Sequence, residues 1–441
     1  MSIEELEKLA YSFIPKVVII VGMVRDENET KLQGSSAEKT IIDLSDKLST
    51  SPVIIKQYFT DLSDKKIFIL INESKYGFSS DGIYKEFYKY VYEVLSHKNL
   101  YEKVSAEYLK EKLILWIVEG HISGRVNENL FSYIFRNIDR DVQNYSFYFP
   151  ILNIEIDKEF NVGKSKITFF TKQFLKEIYQ IEFLEKLGEN EFEETFMKFS
   201  GKVLVSVDVF AEKKLANDLA FKYASYIVDI LKLTSPTVTI PFEKCYLELE
   251  SKIPFSYEYL SFKNNDFAKF TYHVGVNREN QLNYTSEMID SWSNFFKQFG
   301  NLFHKDDEKS KLIKNSIIFY SKCLSEEDIH LRVSKLVMII EGIFLKLDEK
   351  YRMESKSKRR FLYFRFHNDS QQKKEFSGIL DRMYDVRHKM THKSIRLYID
   401  NMELREFQQE IIHVLYMLSK TAFIDFEKES FLTALDEGMT I

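Results

Sequence analysis

Two cysteines, Cys245 and Cys323, are all that the 441 residues contain, and 78 positions separate them. That leaves no metal knuckle, no Cys-x-x-Cys redox pair and no secreted disulfide framework, so a reducing cytoplasm is the expected compartment. Glycine and proline are also scarce, at 14 and 6 residues, well below their roughly 12% combined share of ordinary proteins. Collagen-like repeats and low-complexity linkers are excluded, and helix should dominate. The longest clean apolar run, residues 17–24, is eight long, against the roughly 20 needed to span a bilayer. The first residues, MSIEELEKL, are acidic, unlike the start of a secretory signal. Neither membrane insertion nor export is expected. A global excess of positive charge is missing too: 62 basic residues face 67 acidic ones, for a net charge of -5. Any nucleic-acid site must therefore be local. What is present, 44% apolar and 15% aromatic residues, suits an ordered globular chain long enough for two or three domains.

Residues 1–302 mix two periods. Residues 17–21 and 67–71 are short β-branched or aromatic runs with the pattern of buried strands. Residues 83–95 carry a helical apolar stripe. Further strands are expected at 113–118, 148–156, 167–171, 203–210 and 237–249, and helices at 174–187 and 217–233. This front part reads as an α+β region, with room for two subdomains. Near residue 300 the pattern changes. The mixed-charge run at 304–311 suggests a domain boundary at 302/303. Beyond it every strong pattern has the 3.6 period: 312–324, then 329–347 with Ser325 as its N-cap, then 376–390, then 407–418. The carboxy-terminal part, 303–441, therefore reads as an all-α unit of four or five helices.

Two motifs fail on their own chemistry. Gly163-Lys164-Ser165 looks like the end of a phosphate-binding loop, but such a loop needs a glycine where this chain has Lys158; a charged hairpin turn fits better. His388 and His392 share a helix face, as a metal pair would. Lys389 stands where a zincin needs Glu, and Arg387 and Lys393 flank the pair with positive charge, so no metal is expected.

The segment Arg387-His-Lys-Met-Thr-His392 carries more. Five residues of ideal helix turn about 500°, which leaves Arg387 and His392 some 140° apart. A straight helix does not join them. Met390 is the last apolar periodic residue, so two routes are open: a helix that frays there, or a second copy of the chain that supplies the missing group. With Tyr384 before it and Glu341 upstream in Ile340-Glu-Gly-Ile-Phe344, this segment resembles the signature of HEPN domains, most closely the ApeA-like group of bacterial defence proteins. The resemblance covers roughly residues 305–430. Many members place Gly after the final His, where this chain has Lys393.

The resemblance implies a metal-independent endoribonuclease of the toxin or abortive-infection kind, needing no cofactor, often with its site at a dimer interface. Arg387, His392 and His388 would then be catalytic, with Glu341 and Tyr384 in support. Histidine, with an ordinary pKa of about 6.5, exchanges protons at physiological pH, and arginine clamps phosphate while staying charged. Lys389 and Lys393 would meet RNA beside the site. The run 350–367, rich in Lys and Arg with interleaved aromatics, would add Lys358, Arg359 and Arg360. Expected partners are RNA, tRNA among the candidates, a second copy of the chain, and a phage-derived trigger acting through residues 1–302. The competing functions are a HEPN fold that binds nucleic acid or nucleotide without cutting, and a dimerisation adaptor.

Overall fold

The computed structural model describes residues 2–19, 53–57, 66–71, 74–178, 193–194, 196–250, 259–263, 266–271, 282–421 and 427–438. They form two compact units, a small α/β amino-terminal one and a larger one whose carboxy-terminal half is helical. The first comprises residues 1–144 and 210–218. Helix α1 (Ile3–Phe13) is started by a capping box in which Ser2 and Glu5 satisfy one another's backbone N–H groups. Strands β1 (Val17–Ile19), β2 (Val53–Gln57), β3 (Lys66–Ile71) and β4 (Ser74–Phe78) pair antiparallel in the order β1-β4-β3-β2. Helices α2 (Asp81–Leu95), α3 (Ala106–Ser123) and α4 (Leu130–Asp141) contribute Phe87, Val91, Leu113, Ile117 and Ile134 to one core with Phe13 and Phe78. Residues 20–21 of the strand expected at 17–21 lie outside the described residues.

The strand expected at 113–118 is instead the middle of α3. Ser105 caps its start and Gly124, at φ 66°, ends it in the left-handed conformation. Both flanks of that helix are buried, so its apolar run has no solvent face to show a 3.6 period.

The second unit, residues 145–209 and 219–441, contains all or most of β5 (Gln143–Leu152), β6 (Ile154–Ile156), β7 (Phe160–Val162), β8 (Ser165–Phe169), α5 (Lys172–Ile178), β9 (Val203–Ala211), α6 (Lys213–Lys232), β10 (Glu248–Leu249), β11 (Tyr259–Lys263), β12 (Asp266–Thr271) and β13 (Leu282–Tyr284). Seven of these strands form one sheet in the order β12-β11-β5-β9-β8-β7, with β10 on β5, while β13 pairs β6 in parallel. Of the strand expected at 237–249 only β10 forms; a short 3-10 turn occupies Pro236–Val238. Residues 179–187 of the helix expected at 174–187 lie outside the described residues. Gly163-Lys164 is the two-residue turn of the β7–β8 hairpin, with Val162 opposite Ser165 and Gly163 at φ 63°.

Six helices follow the long α7 (Ser286–Leu302): α8 (Glu308–Leu324), α9 (Ile329–Phe344), α10 (Met353–Phe366), α11 (Ser370–Lys393), α12 (Asn401–Lys420) and α13 (Lys428–Asp436). Asp328, not Ser325, caps α9, accepting from the N–H groups of His330 and Leu331; Ser325 instead ends α8. The expected boundary at 302/303 does not divide the compact units. Helix α7 packs on both β7 and α12, and the Gln298 side chain donates to the Ser419 carbonyl at 2.7 Å, so the sheet and the bundle form one body.

The α7–hairpin contact is made backbone to backbone. A Cβ on Gly300 would lie 2.3 Å from the nitrogen of Gly163, and one on Gly163 2.5 Å from the carbonyl carbon of Gly300. Neither obstacle is a flexible side chain, so an added methyl has to push the helix off the hairpin. Gly300→Ala should cost about 3 kcal/mol or more, at or above the usual overpacking penalty. Denaturant unfolding checks this; a variant as stable as the parent would show that the two backbones separate freely.

Candidate active site at the end of helix α11

Helix α11 begins at Asp369, whose carboxylate accepts from the Gln372 N–H, and buries Phe376, Ile379, Leu380, Met383, Tyr384 and Val386. Its carboxy-terminal end runs past α9 in the opposite direction: Arg387 meets Glu341, and Met390 meets Ser334, whose hydroxyl lies 3.7 Å from the thioether sulfur. The helix does not end at Met390, as the apolar stripe suggests. It continues to Lys393, where Ser394 turns left-handed at φ 53° and its N–H reaches the carbonyls of Lys389 and Met390. Thr391, His392 and Lys393 are exposed, so this last turn carries no apolar signal. It is nevertheless helical, and the fraying route to a joined Arg387 and His392 is closed.

Arg387 donates from Nη1 to Glu341 Oε1 at 2.7 Å, with its side chain 33% exposed and that of Glu341 14% exposed. Burial pushes the Glu341 carboxyl above its ordinary value, and the Arg387 guanidinium opposes that rise without cancelling it. Glu341 therefore holds Arg387 in place from the buried side. One residue further along the helix, His388 is exposed, and its ring lies 4.9 Å from that of His392 at an interplanar angle of 51°. The two imidazoles form an exposed pair about 100–140° around the helix from Arg387. Lys389, His392 and Lys393 occupy the final turn, where the negative end of the helix dipole favours cations. Beyond the cap, the Arg396 guanidinium pairs with Asp328 at 2.6 Å and the Leu397 carbonyl meets His330 Nε2 at 2.7 Å, pinning the following segment to the start of α9.

The other expected site residues divide differently. Tyr384 is buried; its hydroxyl lies 2.7 Å from Ser357 Oγ, and burial pushes the phenol far above its ordinary value. Its support of the site is through packing. Arg360, expected to meet RNA, is 1% exposed. It donates to Glu349, to Asp436 and to the Phe344 carbonyl, tying together the end of α9, the loop after it, α10 and α13. Lys358 is held between Glu354 and Asp381, and Arg359 pairs with Asp436 at 2.5 Å. Lys389 pairs with Asp385 one turn back at 2.9 Å. Lys393 is exposed and, among the described residues, has no ion pair. The aromatics of the basic run, Phe361, Phe364 and Phe366, are core.

The positive surface thus narrows to the end of α11. Arg396, four residues past His392, is exposed and pairs with Asp328, and was not singled out from sequence. Its signal was a further cation directly after the motif. Among the described residues no group of three or more His, Cys, Asp or Glu is arranged to hold a metal ion, and no helix is long and apolar enough to cross a membrane. No protein-family model, no curated protein and no solved structure matches the chain.

Proposed function

We propose that this chain is a metal-independent endoribonuclease whose site is built from Arg387, His388 and His392 and completed by a second copy. The observation that carries the reading is the end of α11, which presents a guanidinium held by a half-buried carboxylate and, about 100–140° further round, two exposed, neighbouring imidazoles. Cleavage without a metal needs a base for the 2′-hydroxyl, a fixed positive charge on the phosphate and an acid for the leaving oxygen. One neutral imidazole takes the 2′-hydroxyl proton as that oxygen bonds to phosphorus. The bond to the 5′-oxygen breaks, and a protonated imidazole supplies its proton, leaving 2′,3′-cyclic phosphate and 5′-hydroxyl ends. Arg387 neutralises the nonbridging oxygens throughout, and Glu341 is its positioning residue.

Because the helix is intact through Lys393, Arg387 and His392 of one chain point about 140° apart. A twofold pairing of α11 ends brings the Arg387 of one chain to the imidazoles of the other, and twofold pairing is the commonest assembly. A free ribonuclease harms its own cell, which makes residues 1–302 the candidate restraint and an abortive-infection role, with a phage-derived trigger, the natural setting. RNA binding without cleavage is the second reading. It is favoured by the Arg387–Glu341 pair, which already occupies part of the guanidinium.

Incubation of the purified chain with total RNA in EDTA separates the two. Cyclic-phosphate ends should accumulate at the same rate with and without the chelator. Activity lost in EDTA and restored by magnesium or zinc overturns the mechanism; binding with no cleavage products supports the second reading.

A further inference from the structure

A cavity of about 390 Å³ lies away from α11, between α7, α12 and the turn after α6. Its volume is in the usual range for small-molecule sites. Rings and neutral polar groups line it. Trp292 and Phe295 come from α7 and Tyr416 from α12; Phe295 stands 5.1 Å from Trp292 edge-on and 5.7 Å from Tyr416. Its amides are those of Asn294 and Gln409, and neither makes a side-chain hydrogen bond among the described residues. Ser235 also lines it. That residue is 3% exposed, and its Oγ is buried without a hydrogen-bond partner among the described residues. That oxygen is covered, so the polar groups that face the space are the two amides.

The hydroxyls beside it are already engaged: Thr234 with Tyr284 and the Leu231 carbonyl, Thr239 with the Pro236 carbonyl, Ser291 with the Met288 carbonyl. Charge is the second discriminator. No Lys, Arg, Asp or Glu lines the cavity, and its one imidazole is that of His413, whose Nδ1 faces Glu410 at 3.3 Å and Arg365 at 3.4 Å. An amino acid, a carboxylate or a nucleoside triphosphate would enter with its charges uncompensated. A hydrocarbon would leave the Asn294 and Gln409 amides without a partner. A flat, neutral ring edged with donors and acceptors satisfies both constraints, since one face stacks on aromatic side chains while the edge meets amides.

We infer that this cavity is a binding site for a nucleobase, presented as a free nucleoside. The same base could arrive on a single strand of RNA, but phosphates on either side of it would find no cation among the lining residues, and the Lys420 ammonium beside them is held over the Tyr416 ring at 4.0 Å. The inference does not rest on the ribonuclease reading, because its test measures binding alone.

The chain has two tryptophans. Trp116 is buried in the first unit, so in the full-length Trp116→Phe protein all tryptophan emission comes from the cavity wall. Titration with adenosine, guanosine, cytidine and uridine should quench that emission saturably for at least one of them, with one site per chain. Gln409→Leu in the same background should weaken the effect about tenfold, the worth of one or two lost hydrogen bonds. Calorimetry on the unsubstituted chain, with and without Gln409→Leu, gives the same answer should Trp116→Phe fail to fold. The inference is overturned if no nucleoside gives a saturable signal by either method up to millimolar concentration. It is equally overturned if binding is indifferent to Gln409→Leu, or if only oligonucleotides bind.

Discussion

His392→Ala and Arg387→Ala proteins should each cleave RNA at least about a hundredfold more slowly than the parent, since proton transfer and charge stabilisation are each typically worth that much. Both should also lose any toxicity to growth. His392 is exposed on the last turn of α11, so removing its ring should change stability by less than about 0.5 kcal/mol. Arg387→Ala is less innocent, because it strands the half-buried Glu341 carboxylate that the guanidinium now compensates. Adding Glu341→Gln removes that charge, and the double variant should fold like the parent while staying inactive.

Mixing then tests the shared site. If each site takes its arginine from one chain and its imidazoles from the other, a heterodimer of Arg387→Ala and His392→Ala chains holds one intact site and one doubly defective one. Random pairing makes half the dimers mixed, so about a quarter of the parental activity should return. Two folded single variants that still cut at the parental rate would dismiss the active-site assignment. A mixture that contains heterodimers yet recovers nothing would dismiss the sharing.

The motif was legible in sequence because its residues are contiguous and its angular offset follows from helix geometry alone. The end of its helix was not, because apolar periodicity reports burial and not backbone conformation. Met390 still meets Ser334 of α9, whereas the exposed turn beyond it is closed by the Ser394 cap. The same limit explains the misread run at 113–118, where burial on both flanks of α3 erased the period. Element type was recovered for the one-sided stripes of residues 83–95 and 376–390.

Charge misled for a related reason. Within 350–367 the only acid is Glu354, so the run reads as unpaired and positive. Its partners come from distant positions: Glu349, Asp381, Asp436 and Glu410. A local count cannot find them. The aromatics of that run then become core, and what looked like a surface for RNA is the strut between α10 and its neighbours.

That strut supplies the largest stability effect expected in the helical half. Arg360 is buried and its guanidinium carries both Glu349, 2.7 Å from Nη1, and Asp436, 2.6 Å from Nη2. Burial alone would raise the Glu349 carboxyl, but hydrogen bonds from Arg360 and Lys356 outweigh it and bring the group down to about 2. The Arg360 hydrogen bond likewise holds Asp436 below its ordinary value. A carboxyl depressed by folding takes up protons more readily when the chain unfolds, so the stability it contributes is complete above its unfolded value. For Glu349 that contribution should be full above about pH 4.5 and fade as the pH falls toward 2.

Arg360→Met keeps the apolar stem and removes the charge, leaving a buried carboxylate without its main partner. Breaking one side of a buried pair costs about 3–5 kcal/mol, and denaturant unfolding at pH 7 should register a loss of that order. At pH 3 the gap between variant and parent should shrink, because the parent is already losing the same interaction. Arg360→Met with Glu349→Gln and Asp436→Asn should recover part of the loss at neutral pH. A gap that is equal at both pH values would mean that Arg360 contributes by packing alone.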